Sequence, residues 1–360
     1  MQTRLSTLLL TLAVAATSYA QAQSLPDSAR ATLDKDIPPL LAQYAIPGVS
    51  IAAISAGRLT LVAAYGMQSE GVPATAESLY NIASLTKPLT AEVVLRLASQ
   101  DKLSLDEAMY HFWTDPDVAG DDRHKLLTPR LALDHQTGFP NWRDRQQGLR
   151  FTQDPGTQFG YSGEGYQYVA RFIEKKTGQS LDTLAGSYLF KPAGMRATAY
   201  TGQAWFAGHI ALPHDAAGKP MEPTIATRAN AADLVYSTPS DYAAFMLDVL
   251  DDKGLSAGIA GERSRIQTDT RTKMCGGTKA AACPAAAGMG LGWEILQFNS
   301  TAIMMHTGKD DGVFTFAYLD KASRSGAVIM TNGDNGYKIV IPVLERLRIN
   351  PEFLKFLRSQ

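Results

Sequence analysis

Ser84-Leu85-Thr86-Lys87 sets a hydroxyl and an amine three residues apart. On a helix, residues at that spacing lie on one face, one turn apart. A serine at its ordinary pKa is a poor nucleophile and needs an adjacent base. A lysine can be that base when burial or a neighbouring cation lowers its pKa. The apolar stretch Ala91-Glu92-Val93-Val94-Leu95-Arg96-Leu97-Ala98 follows, so Ser84 stands near the start of a core helix. There the unpaired backbone N–H groups and the helix dipole favour developing negative charge. Pro88 fits a first turn, which tolerates a missing N–H. Ser99-Gln100-Asp101-Lys102 repeats the spacing, but in a polar stretch that reads as a helix end and loop.

Two further segments carry candidate chemistry. Pro155 to Tyr166 is rich in turn residues and leads into a helix, and Tyr161 could reach into a cleft from it. A lysine ammonium beside that phenol would lower its pKa from about 10, so that it exchanges protons with Ser84 or a leaving group. Gly160-Tyr161-Ser162-Gly163-Glu164 nearly matches a nucleophile elbow, but Glu164 stands where the last glycine belongs. The second segment, Met304 to Val313, reads as a junction between two strands. In it His306 could assist proton transfer or touch substrate together with Thr307. Gly308 would let another backbone approach closely, and the Lys309 N–H could join the Ser84 N–H as an oxyanion hole. Metal-hydrolase, P-loop and dinucleotide fingerprints are missing, so no cofactor or metal is called for.

The elements that must position these groups can be read in outline. Residues 27–43 suit an amphipathic helix, and Gly48 to Ile54 with Leu59 to Tyr65 suits a hairpin turning at Gly57. From about 100 to 205 the pattern is short helices and loops, with Ser162 to Lys176 helical and Gly178 as its C-cap. Ser240 to Leu250 is another helix. Residues 251–290 are Gly/Ala-rich and read as irregular and mobile. Strands return at Gly292 to Phe298, Ala302 to Met305, Val313 to Leu319 and Gly326 to Met330, and Tyr337 to Leu347 reads as a closing helix. The expected fold is α/β (α+β): an antiparallel sheet flanked by helices and built from both termini, with a mostly helical inserted domain. Residues 23–100 and 205–360 form the discontinuous α/β domain, and 101–204 the helical one.

Composition narrows the class. Arg4, the apolar run Leu8 to Ala16 and Ala20-Gln21-Ala22 have the form of a secretory signal over residues 1–22, cut near Ala20 or Ala22. That run is too short to span a bilayer, so no membrane anchor is expected. Without Arg4 the chain holds 33 basic against 35 acidic residues, a formal charge of −2. This is no footprint for nucleic acid, and leaves a small-molecule or peptide substrate as the partner. Cys275 and Cys283 are the two cysteines, and an even pair in an exported chain suggests a disulfide.

Taken in order, Ser84-x-x-Lys87, Tyr161 and His306-Thr307-Gly308 resemble the three motifs of the serine β-lactamase and penicillin-binding protein superfamily. The resemblance is closest to its class C β-lactamase-related branch, which includes D-aminopeptidases, DD-carboxypeptidase-like proteins and esterases. It extends to Leu133-Asp134-His135-Gln136-Thr137-Gly138, Pro155-Gly156 and Gly290-Leu291-Gly292-Trp293. It implies an acyl-enzyme on Ser84, with Lys87 and Tyr161 sharing the base work in an order that stays open. Two departures separate this chain from that pattern. Tyr161-Ser162-Gly163 replaces Y-x-N, and His306 replaces the lysine of K-T-G. Both point to an ester or D-amino-acid amide in preference to a β-lactam. A true class C-like β-lactamase and a penicillin-binding sensor with little turnover are the alternatives.

Overall fold

The computed structural model describes residues 25–276 and 281–360, with the side chains of 25–28 left aside. The expected signal segment lies outside these residues. Helix α1 (Leu25–Tyr44) leads into strands β1 (Gly48–Ser55) and β2 (Arg58–Ser69). Ala56 and Gly57 turn this hairpin, both with positive φ, the conformation that matches the twist of paired strands. Short β3 (Val72–Pro73) and β4 (Tyr80–Asn81) precede helix α2 (Thr86–Ser99). The chain then runs through α3 (Pro129–Leu133), α4 (Gly163–Thr177), α5 (Leu181–Ala185) and α6 (Lys191–Ala193) before β5 (Tyr236–Ser237) and α7 (Pro239–Leu250). Next come α8 (Ala257–Ser264), β6 (Thr268–Asp269), α9 (Arg271–Met274), β7 (Ala286–Met289) and β8 (Glu294–Gln297). Strands β9 (Ala302–Asp310), β10 (Val313–Asp320) and β11 (Ser325–Thr331) and helices α10 (Tyr337–Arg346) and α11 (Pro351–Ser359) complete it.

Nine strands form one antiparallel sheet in the order β3-β2-β1-β11-β10-β9-β8-β7-β6, and β4 pairs with β5 separately. The first hairpin therefore pairs with the last strand, as expected of a sheet built from both termini: Val49 lies opposite Thr331 and Ile54 opposite Gly326. Strand β1 is buried on both faces. Its Val49, Ile51 and Ala53 pack under α1, α10 and α11, and its Ala52 and Ile54 pack into the larger core around α2, α4 and α7. Period-two alternation sends neighbouring residues to opposite faces, so one strand serves both cores.

Four details depart from the sequence reading. Residues 251–290 are not irregular throughout, because they hold α8, β6, α9 and β7. Ser256 caps α8 by accepting the Ile259 N–H, and β6 and β7 extend the sheet, a pairing that local propensity does not register. Gly292 is not strand but a turn at φ +91°, with β8 starting at Glu294. His306 to Gly308 lie inside β9, not at its end, and the reversal falls at Asp311-Gly312, where Gly312 has φ +74°. The closing helix is α11, which begins at Pro351 with Asn350 accepting the Glu352 and Phe353 N–H groups.

Candidate active site

Ser84 sits in a 3₁₀ turn, Ala83–Leu85, that runs directly into α2. Ala83 takes a left-handed φ of +47°, uncommon for a residue with a side chain. Its N–H donates to Asn81 Oδ1 at 2.9 Å, and Thr315 Oγ1 donates to the Ile82 carbonyl at 2.8 Å. The turn is thus held from β4 behind and from β10 beside. Its neighbours are buried, while Ser84 keeps partial exposure.

Lys87 lies one turn on. Its Nζ donates to Ser84 Oγ at 2.8 Å and to the Ala232 carbonyl at 3.0 Å, and sits 4.8 Å above the Tyr161 ring. Burial holds this amine well below the usual lysine range, with Asp233 acting the other way. Burial likewise pushes the Asp233 carboxyl up, and Asp310 adds to that. Asp310 in turn accepts from Asn81 Nδ2 at 3.1 Å.

Tyr161 comes from the loop before α4 and stacks on His135, with ring centroids 4.4 Å apart. Its phenol is shifted upward, contrary to the expected downward shift, because burial outweighs the hydrogen bond with Ser84. Ser162 is no nucleophile in an elbow. It caps α4, its Oγ accepting from the Gly165 N–H at 2.9 Å and donating to the Pro140 carbonyl at 2.8 Å. Gly163 stands where the resembling family has asparagine, and a side chain there would have to displace the Trp142 ring. A Cβ there would lie 2.7 Å from the Trp142 ring.

Strand β9 forms the opposite wall. A Cβ on Gly308 would fall 2.5 Å from the Ile82 carbonyl and 3.0 Å from the Ser84 nitrogen, so β9 presses directly on the serine turn. Pairing with β8 reaches only Met305, opposite Glu294, so beyond it β9 is paired with β10 alone. The buried His306 ring lies 6.3 Å from that of Tyr161. Its Nδ1 donates to the Thr307 carbonyl at 2.7 Å, which leaves a lone pair on Nε2. Burial and the nearby Lys87 hold the imidazole down to about 3, so it is neutral. Thr307 and Lys309 are exposed beside it.

Ser84, Lys87, Tyr161 and His306 therefore converge, drawn from the serine turn, α2, the loop before α4 and β9. Sequence reasoning missed Asp233, Glu294 and the stacking role of His135. His135 stood within the quoted Leu133 to Gly138 stretch, whereas Asp233 and Glu294 follow ordinary apolar residues and carry no local signal. Among the described residues no cluster of acidic, histidine or cysteine side chains could hold a metal ion, and no helix is long and apolar enough to cross a membrane. Cys275 and Cys283 are bonded, with Cα atoms 5.9 Å apart.

Comparison with known proteins adds an independent line. The family model described as Beta-lactamase matches residues 33–346. Penicillin-binding protein 4 of Amycolatopsis lactamdurans is 24% identical over 320 residues, 82% of this chain and 83% of that protein. A solved class C β-lactamase superposes with a TM-score of 0.74 at 17% identity, covering 92% of this chain and 98% of that one. A D-alanine carboxypeptidase from Burkholderia cenocepacia gives 0.72 at 22% identity, covering 89% and 99%.

Proposed function

The chain belongs to the β-lactamase family, and from that premise we propose that it is an exported serine hydrolase that cleaves an ester or amide through an acyl-enzyme on Ser84. The observation that carries this reading is the 2.8 Å contact between Ser84 Oγ and the buried amine of Lys87. A lysine brought down to about 7 by burial is in part neutral near physiological pH and can accept the serine proton. A phenol held high keeps its own proton, so Tyr161 acts as the donor to the leaving group. This orders the two bases, with Lys87 first.

The sequence of steps is then as follows. Ser84 Oγ attacks the carbonyl carbon as its proton passes to Lys87 Nζ. The oxyanion is held by the Ser84 and Lys309 N–H groups. The Thr307 carbonyl already accepts from His306, and main-chain groups two residues apart on a strand face the same edge. That directs the Lys309 N–H to the edge of β9 that β8 leaves open. Tyr161 protonates the departing oxygen or nitrogen and recovers a proton from Lys87. Water then attacks the acyl-enzyme by the same relay, releasing the acid and restoring Ser84.

An ester or D-amino-acid amide suits the site better than a β-lactam. Residue 163 is glycine, with the Trp142 ring 2.7 Å from where its Cβ would lie, so no side-chain amide from this position meets the substrate. Ser84→Ala should reduce hydrolysis of phenyl acetate to the uncatalysed rate while leaving the circular dichroism spectrum unchanged, and undiminished turnover would sink the proposal. The likeness to a penicillin-binding protein keeps a second reading, a sensor that acylates and barely turns over. A long-lived penicillin adduct on Ser84, seen by intact mass and without ester turnover, would favour it, and rapid turnover of a cephalosporin would favour a true β-lactamase.

A further inference from the structure

Tyr161 stands in the loop before α4 and, with Phe159 and His306, walls a cavity of about 310 Å³. A ring that borders open space can swing into it unless it is held from elsewhere. His135 supplies that hold. Its side chain is wholly buried and stacks on Tyr161, with ring centroids 4.4 Å and planes 28° apart. The N–H groups on either side of Tyr161 both end on His135. Gly160 donates to its carbonyl at 2.9 Å, and Ser162 donates to its Nδ1 at 3.0 Å. One residue thus fixes the backbone before and after Tyr161 as well as a face of its ring.

His135 occupies this place at a cost to stability. Its φ is +63°, a left-handed conformation sparsely used by residues with side chains, although histidine and asparagine enter it more readily than most. Because Nδ1 accepts, the proton of the neutral imidazole sits on Nε2. That buried group meets no partner among the described residues. Burial and the nearby Lys87 keep the ring from taking a second proton. Phenylalanine would stack without an unmet donor, but would leave the Ser162 N–H unpaired. Asparagine would accept that N–H, but brings no ring. Histidine supplies both, and strain of this kind persists where function requires it.

We propose that His135 is a positioning residue for the proton donor, keeping the Tyr161 hydroxyl within reach of the departing atom. It thereby sets how well the protein cleaves substrates whose leaving group must be protonated. The inference rests on the hydrolase reading above. As the C–O bond of an ester breaks, its electron pair stays on the departing oxygen. That oxygen takes the Tyr161 proton, and Tyr161 recovers one from Lys87. An alkoxide leaves poorly without the proton, whereas 4-nitrophenolate departs as a stable anion. A displaced Tyr161 therefore penalises the first and spares the second.

The test compares 4-nitrophenyl acetate with ethyl acetate, which share their acyl group. The readout is kcat/KM, which covers the steps up to departure of the leaving group. The ratio of the two values is taken on one sample, so a lower folded fraction cancels. Proton transfer by a positioned acid contributes about 10²–10⁴-fold. His135→Ala should therefore raise the 4-nitrophenyl-to-ethyl ratio at least about tenfold over wild type. His135→Asn, which restores the acceptor for Ser162, should recover part of that loss. In a Tyr161→Phe background His135→Asn should change the ratio no further, because residues that act through one another are not additive. An unchanged ratio, equal slowing of both esters, or an asparagine variant no better than alanine would overturn the proposal. So would a second loss on top of Tyr161→Phe. Ser84→Ala and Tyr161→Phe, each alone, separate the two readings. If the first is inert and the second raises the ratio while the His135 variants do not, only the positioning role falls. If Ser84→Ala stays active, or Tyr161→Phe leaves the ratio unchanged, the mechanism proposed above falls first.

Discussion

Lys87 carries most of the chemistry proposed here, and its surroundings explain how. Its two hydrogen-bond partners are a hydroxyl and a carbonyl, neither of which bears charge. Burial therefore disfavours the ammonium, and the amine titrates below the ordinary lysine value of about 10.4. Two consequences follow in opposite directions. For catalysis, the rate needs the neutral amine, so kcat/KM for phenyl acetate should rise as pH rises through the depressed Lys87 pKa and level off before pH 10. For stability, the unfolded chain takes up a proton that the folded chain resists. This site thus weakens the fold progressively as pH falls below about 10.4, until the folded amine itself is protonated. A rate limb that appears only above pH 10 would contradict the burial argument. Lys87→Met should remove the limb and lower the rate to near that of Ser84→Ala.

At the scale of elements, two contacts set where the serine turn lies. Strand β9 reaches it through Gly308, because any larger residue would collide with the Ile82 carbonyl and Thr315 Oγ1. Gly308→Ala should push β9 outward by a fraction of an ångström to an ångström, and misplacement of that size costs about 10²-fold in rate. Unchanged kcat/KM in a folded variant would show that β9 does not shape the site. Helix α2 is anchored from its far side by a buried ionic network. Glu92 accepts from Arg96 Nε at 3.3 Å and from Arg263 Nη1 at 3.0 Å, while Arg96 Nη2 donates to Asp248 at 3.0 Å. Arg263 is wholly buried and also bonds the Val249 carbonyl and Asp252. Removing one member of such a network leaves its partner charged and unpaired. Arg263→Ala should therefore lower the unfolding free energy by about 3–5 kcal/mol in urea titration. A loss below about 1 kcal/mol would show that Glu92 finds another partner or sheds its charge.

Over the whole molecule, the sheet joins the two ends of the chain and the site lies where its larger core meets the residues between β4 and β5. The first hairpin is paired with β11, so the fold cannot form until nearly all of the chain is available. Cys275 and Cys283 are bonded just after α9, whose Lys273 and Met274 border the cavity beside Tyr161. A bonded pair of this kind suits an oxidising compartment, which agrees with the export expected from residues 1–22. Expression with the native start in a Gram-negative host should yield periplasmic protein whose first residue, by N-terminal sequencing, is Gln21 or Gln23. Protein found only in the cytoplasm with Met1 retained would refute export.

Local spacing was enough to expect Ser84 and Lys87 to meet, because a helix brings residues three apart together whatever surrounds it. The segments around Tyr161 and His306 were legible through their order and the family they resemble, and the strands at both ends through residue types. What the tertiary structure decided was distance and dielectric. That Tyr161 is shifted up and not down follows from its burial against His135. That a side chain at 163 would press on the ring of Trp142, twenty-one residues away, follows from the packing before α4. That Glu294 faces the site at all follows from where β8 stops beside β9. Each of these depends on which distant segments pack together and how completely they exclude water. Neither property is written in any short window of the chain, because burial is a sum over contacts that only the assembled fold supplies.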